Sequence, residues 1–244
     1  MISHFMKKIA FTIIVFFKLV SAEAQNEISA ALTTVPDSLL VYEHKKIIPE
    51  EYKLPILVAL AHFPELKNLS VKIRIKQAYT PLSTKPDFWS IFKRKSKRTY
   101  VITISNKTID TLTHLLYKNL SLDERIGIIG HELSHVVDFD NKNFFQSLKS
   151  AIGHVSKKYL DRMEFKTDSI CIAHGLGNYL ETYSMHVRNS MHVHYWRGVD
   201  HVFEKDDHIE RYMNPSTIER FMIKARATNS GNKKAPPTTG RALP

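Results

Sequence analysis

The chain has 244 residues, 43% hydrophobic and 24% charged, and carries a formal charge of +11. That length and balance exclude a wholly disordered protein and supply enough apolar surface for one packed domain without disulfides. The lone cysteine, Cys171, excludes an intrachain disulfide, and its neighbours Ile170 and Ile172 mark it as a small buried apolar residue rather than a nucleophile.

The first 24 residues read as a signal peptide. Lys7 and Lys8 precede an apolar run from Ile9 to Val20, and Ala22-Glu23-Ala24 offers a small-x-small cleavage site before Gln25. The run is shorter than the roughly 20 residues a membrane span needs, and Lys18 interrupts it. A secreted or periplasmic protein is therefore expected. Cleavage removes three lysines and one glutamate and leaves +9, a surface that favours anionic partners such as an anionic envelope. The densest basic run is Lys93-Arg94-Lys95-Ser96-Lys97-Arg98. It has no interleaved aromatics and no nucleic-acid fold signature accompanies it, so it reads as a solvated loop and no nucleic-acid partner is expected.

Residues 25–50 are polar and mixed and read as a lead into the domain. A short helix is predicted over Glu50 to His62. The alternation of Val71, Ile73 and Ile75 with Lys72, Arg74 and Lys76 predicts a half-buried strand within Leu69 to Ala78. Tyr79 to Arg98, with prolines at 81 and 86, reads as a long loop or an extended hairpin. Tyr100 to Ser105 is a second predicted strand. From Thr108 to Leu120 the apolar spacing turns helical. Ser121-x-x-Glu124 is a capping box that opens the next helix, which runs to about Phe139. Further helices are predicted over 144–155, from Lys157 to about His174, where Gly175 and Gly177 interrupt, from Leu180 to Val187, and from Pro215 to Ala227 behind Asn214. Residues 229–244 read as a disordered basic tail, so the domain proper is 25–228. Strands come first and helices fill the second half, which predicts an α+β fold with a small sheet packed against the helix of residues 121–139.

That helix carries His131-Glu132-Leu133-Ser134-His135. Two histidines four apart project from one helix face, a spacing that brings two ring nitrogens to one zinc ion at about 2.0–2.1 Å. Glu132 is rotated by about 100° from His131 and reaches a water on that ion without binding the metal; zinc lowers that water's pKa towards about 7 and Glu132 takes its proton. A catalytic zinc wants a third protein ligand. The extended metzincin pattern is absent after His135. Glu164 and Asp168 lie four apart on a later predicted helix, so Glu164 is the candidate ligand and Asp168 the acceptor for the second ring N–H of a bound histidine. Asp138, three residues after His135, is a rival ligand. Glu164 and Asp168 also read as surface carboxylates paired with Arg162, Lys166 or Lys158.

His-Glu-x-x-His followed by Glu-x-x-x-Asp resembles the gluzincin metallopeptidases, the thermolysin-like and prenyl-protease-like groups among them. His-Glu-Leu-Ser-His and Glu-Phe-Lys-Thr-Asp are closest in wording to the latter. The resemblance implies a zincin-like fold, a Zn2+ cofactor, ligands His131, His135 and Glu164, Glu132 as general base and Asp168 behind a ligand. It covers about Tyr100 to Gly177. The sequence departs from it in the 28 residues between His135 and Glu164, which contain an extra helix-like segment, and in lacking the multiple spans of the prenyl-protease-like members.

Donors for a developing oxyanion are plentiful: Tyr183, His186, His192, His194, Tyr195, Arg197, His201 and Tyr212. Among them His192, His194, Tyr195 and Arg197 cluster with aromatics, and the first two alternate as on a strand, which also suits a second metal site. The leading expectation is a zinc peptidase acting on polypeptide, with Tyr100 to Ser105 as the edge along which substrate pairs. The alternatives are a non-catalytic zinc-containing binding protein with a basic surface for anionic partners, and a metal-dependent amidase acting on cell-wall peptides. Glu132 speaks against a purely structural site, which has no use for a general base.

Overall fold

The structure is a computed structural model that describes residues 35–142, 156–198 and 210–232. The signal-peptide reading of residues 1–24, the helix expected over 144–155, His201 and the last part of the expected tail lie outside the described residues. The chain divides into two compact units, Met1–Ser38 and Leu39–Pro244, and the second carries the sheet and the long helices.

Its elements are β1 (Lys46–Ile47), α1 (Lys53–Ala61), β2 (Ser70–Ile75), β3 (Leu82–Pro86), β4 (Thr99–Ile104), α2 (Leu122–Asp140), α3 (Lys157–Ala173), α4 (Gly177–Met191) and α5 (Pro215–Asn232), joined in places by 3-10 turns. The fold is α+β, with a four-stranded mixed sheet and a mostly helical C-terminal half. The strand order is β1-β2-β4-β3. β2 runs parallel to β1 and to β4, and β3 is antiparallel to β4. No helix among the described residues is long and apolar enough to cross a membrane.

Three expectations are corrected. The lead at 25–50 contributes a strand, β1. The second concerns the sheet edge: of the loop and the extended hairpin expected at 79–98 the hairpin is formed, with β3 pairing with β4 over Leu82 to Pro86 and the prolines at 81 and 86 bracketing the ladder. β4 is therefore internal, buried from Tyr100 to Ile104, and the terminal strand is β3 rather than Tyr100 to Ser105. The third correction is Thr108 to Leu120, which forms two 3-10 turns, Asp110–Leu115 and Tyr117–Asn119, separated by Leu116 at φ −62° and ψ 134°. Buried leucines at 112 and 115 satisfy a three-residue turn as well as an α-helix, so apolar spacing alone does not separate the two over so short a segment.

α2 is the centre of the domain. Its capping box is formed: Ser121 N–H donates to Glu124 Oε2 at 2.7 Å and Glu124 N–H to Ser121 Oγ at 3.4 Å. From Ile126 to Phe139 every residue is buried, so α2 packs on all sides, against α1, α3, α4 and β3. Two glycines permit this. A Cβ on Gly127 would stand 2.2 Å from Tyr179 O of α4, and one on Gly130 would meet Leu176 Cδ1 at 2.5 Å. The reversal between α3 and α4 is a Schellman turn: Leu176 N–H bonds Cys171 O, Gly175 N–H bonds Ile172 O, and Gly175 holds φ +82°. Cys171 is buried, and burial pushes its thiol pKa up, which keeps it unreactive. α5 continues to Asn232, past the expected end at Ala227 and into the first residues of the expected tail. Asn214 stands before it, yet its side-chain oxygen accepts from Arg188 and leaves the capping of Thr217 and Ile218 N–H to its own carbonyl.

Candidate metal centre

α2 and α3 bring His131, His135 and Glu164 together. Their ligand atoms all lie within 4.8 Å of one another, the one such group among the described residues. Glu164 Oε2 is 3.2 Å from His131 Nε2 and 3.1 Å from His135 Nε2. Ligands sharing a tetrahedral ion at 2.0–2.1 Å stand about 3.3 Å apart, so the two spacings from Glu164 to the histidines fit.

The outward nitrogens decide which atoms face inward. His131 Nδ1 is 2.7 Å from Asp168 Oδ1, and a carboxylate accepts only, so Nδ1 carries the proton. Thr167 Oγ1 donates its hydrogen to Met163 O at 2.9 Å. Towards His135 Nδ1, at 3.2 Å, it is therefore the acceptor. Both rings thus turn Nε2 towards Glu164, and with those nitrogens unprotonated three lone-pair atoms converge on a point that a cation suits. The electrostatics show the same demand for positive charge, met by a second proton on His131 or by a cation. Burial opposes charge on His131, but the bonds to Asp168 and Glu164 outweigh it and raise the pKa well above its usual value. Burial likewise disfavours the charged form of Glu164, yet His135 and His131 hold its carboxyl well below the usual carboxylate range.

Glu132 is not part of the triad. It lies in the wall of the same cavity, and Thr84 Oγ1 donates to its Oε2 at 2.6 Å from β3. The cavity measures about 210 Å³ and is lined around His131, Glu132 and Glu164 mainly by apolar groups, Leu115, Ile128, Leu180, Val187 and Trp196 among them. Its far wall is tied together by Arg188. That buried guanidinium donates to Ser184 Oγ, Asn214 Oδ1, His194 O and Tyr212 O. Asp168 Oδ2 accepts from Met213 N–H at 2.7 Å and joins this wall to the triad.

The remaining sequence candidates disperse. Asp138 points away from the triad and pairs with Lys142 and Lys166, both at 2.6 Å. Lys166 is thereby committed to Asp138 rather than to Glu164 or Asp168. His186 pairs with Glu124 at 3.0 Å. His192 ends α4 in the left-handed conformation, so it does not alternate with His194 as on a strand. His194 is exposed, with its ring against Tyr195, and Arg197 donates to Asp161 at 2.7 Å. His192, His194, Tyr195 and Arg197 are not among the lining residues; Trp196 and Gly198 from that stretch are, as are Tyr183 and Tyr212. The Tyr212 ring lies 5.7 Å from that of His131. Burial raises both phenol pKa values, so both hydroxyls keep their protons.

Sequence reasoning missed Thr84, Thr167 and Arg188. Thr167 had a signal, since it sits between Glu164 and Asp168 on their shared face. Thr84 and Arg188 had none, because each acts across the fold on a partner dozens of residues away. No protein-family model, no curated protein and no solved structure matches this chain.

Proposed function

We propose that the chain is a zinc-dependent peptidase of the gluzincin kind with a zincin-like fold, acting outside the cytoplasm on the strength of its leader pattern. The observation that carries the reading is the convergence of His131 Nε2, His135 Nε2 and Glu164 Oε2, with both Nδ1 atoms engaged elsewhere and Glu132 beside them in an open cavity. Two imidazoles and one carboxylate are the donor set of a catalytic rather than a structural zinc.

Zinc, when bound, supplies Lewis acidity that brings a water's pKa towards about 7 and polarises a carbonyl. The chain's residues do the rest. Thr84 occupies Glu132 Oε2, so Oε1 is the oxygen that accepts the proton and later returns it to the leaving amine. Asp168 and Thr167 fix the two imidazoles in the tautomer that presents Nε2. Tyr212 and Tyr183, held protonated, are the donors for a developing oxyanion. β3 is the terminal strand beside the site, and an extended substrate backbone pairs along it while an apolar side chain enters the cavity.

The test is the zinc content of the purified chain by elemental mass spectrometry, next to Glu164→Ala and Glu132→Gln. About one zinc per chain is expected in the wild type and in Glu132→Gln, with a sharp loss in Glu164→Ala. Glu132→Gln is also expected to lose peptide hydrolysis by at least about a hundredfold. A wild type that takes up no zinc overturns the metal site. Zinc bound with no effect of Glu132→Gln on function overturns catalysis and leaves the non-catalytic binding protein.

A further inference from the structure

Between β3 and β4 runs a connection, residues 87–98, whose exposure is the reverse of what its composition asks for. Phe88, Trp89 and Phe92 are 65%, 73% and 64% exposed, while Ser90 among them is 1% exposed. The serine pins the turn. Ser90 Oγ shares its hydrogen between Asp87 O at 2.8 Å and Thr99 O at 3.0 Å, and Asp87 N–H bonds Thr99 O at 2.8 Å. The backbone is thereby fixed with its polar residue inward and its rings outward. The rings form one cluster: Phe88 meets Trp89 edge-on at 5.1 Å and Phe92 at 6.1 Å between centroids.

The basic run follows at once. Lys93, Arg94, Lys95 and Lys97 are exposed, and Arg98 turns inward to donate to Lys142 O at 3.0 Å, just past the end of α2. Asp140 faces this group, taking Lys95 at 3.3 Å and the Tyr100 hydroxyl at 3.0 Å. A compact apolar knob and a belt of cations thus share one hairpin connection.

We propose that this connection is a docking surface for an anionic lipid bilayer. Aromatic rings settle at the headgroup boundary, where they leave water without needing a matching pocket. Lysine and arginine stems lie along the apolar layer while their charges meet lipid phosphates. Lysine supplies three of the four exposed cations and is depleted in protein–protein interfaces, which favours lipid over an acidic protein partner. The rings stand out from a hairpin connection instead of lining a groove, the shape a deformable surface accepts. β3 carries both this connection and Thr84, which holds Glu132, so docking sets the cavity close to the membrane surface. The lipid surface itself rests on none of the metal chemistry above.

The test is co-sedimentation of the purified chain with vesicles of phosphatidylcholine alone and of phosphatidylcholine mixed with phosphatidylglycerol, at low and high salt. The wild type is expected to bind the mixed vesicles about tenfold more tightly than the neutral ones. The combined variant Phe88→Ser, Trp89→Ser, Phe92→Ser is expected to lose about tenfold and keep its salt dependence. The pair Lys93→Gln, Arg94→Gln is expected to lose about fivefold per cation and to flatten that dependence. All proteins share one N-terminal segment, so its own lipid affinity cancels. Unchanged circular dichroism and zinc content in the variants separate a failure here from a failure of the metal reading. Variants that bind like the wild type overturn the proposal. So does a wild type indifferent to phosphatidylglycerol, or one that binds soluble polyglutamate as tightly as vesicles whether or not the rings are present.

Discussion

The floor and the far wall of the cavity are held by opposite means. The floor takes His131 and Glu132 from α2 and Glu164 and Asp168 from α3, and the same two helices supply His135 and Thr167 to the triad and its support. Two helices in one register are enough to fix all six, because each helix repeats its face about every four residues. The wall has no such lattice. α4, residues 196–198 and residues 211–213 belong to separate stretches, and buried charges draw them together: Arg188 onto Tyr212 O and Asn214, Asp161 onto Arg197 and Arg211. A site built on helix spacing is specified locally, whereas one assembled by charge-assisted bonds across the chain exists only once the whole fold does. The two meet in one carboxylate, Asp168.

Removing the clamp of the wall is expected to have the largest effect. Arg188→Leu keeps bulk but strands the buried acceptor Asn214 Oδ1 and the half-buried Tyr212 O, and is expected to cost about 3 kcal/mol of stability. Burial already lowers the Arg188 pKa to about 10, so the guanidinium itself is held there against a desolvation cost. Urea titration measures the loss. Zinc uptake in the variant, measured below its unfolding midpoint, is expected to stay near one per chain. If zinc uptake falls along with stability, floor and wall are a single cooperative unit.

Asp168→Asn cuts the joint between them. Asparagine offers one acceptor oxygen where the carboxylate offered two, so it serves His131 Nδ1 or Met213 N–H but not both, and its NH₂ then faces a donor. Zinc affinity is expected to fall by about 10- to 100-fold, measured by competition with a chelator. An unchanged affinity would mean that His131 needs no orienting partner.

The same contrast sets what the sequence revealed. The capping box, the His131–His135 interval and the Glu164–Asp168 interval are periodic facts about one helix each, and all of them appear in the fold as read. Which carboxylate reached the histidines was open until α3 was seen to turn Glu164 inward and Lys166 towards Asp138. β3 was ambiguous because its prolines sit at the ends of the ladder, where they cost nothing. Thr84 and Arg188 were invisible: their partners are set by tertiary packing, and no interval along the chain encodes a contact between β3 and α2 or between α4 and residue 214.

Asp138 tests how firmly the floor is locked. Burial raises its pKa, but Lys142 on its own helix and Lys166 on α3 outweigh that and lower it. A carboxylate whose folded pKa is depressed adds stability above its unfolded pKa and loses it as pH falls through the folded one. Asp138→Asn is therefore expected to cost about 1 kcal/mol at neutral pH, a figure discounted because Lys166 is largely exposed. The difference from wild type is expected to shrink below about pH 4. Urea midpoints at neutral and acid pH check this, and a gap that persists in acid would assign the contribution to packing instead of to the ion pairs.

The smallest expected effect lies at the end of α4, where the wall begins. His192 closes that helix at φ 53° and ψ 39°, a left-handed position that glycine takes without the clash a Cβ brings. His192→Gly is expected to gain up to about 1 kcal/mol, or about 2–4 °C in melting temperature for a domain of this size, with turnover unchanged. The same substitution discriminates between two roles, because a histidine that donated to an oxyanion would cost about a hundredfold or more in rate when removed. His192 is exposed and stands outside the cavity lining, while Tyr212 and Tyr183 are inside it with their protons held. A more stable and equally active variant would assign His192 to chain reversal and leave the oxyanion to the tyrosines; a slower one would require residues 192–197 to swing into the cavity when substrate binds.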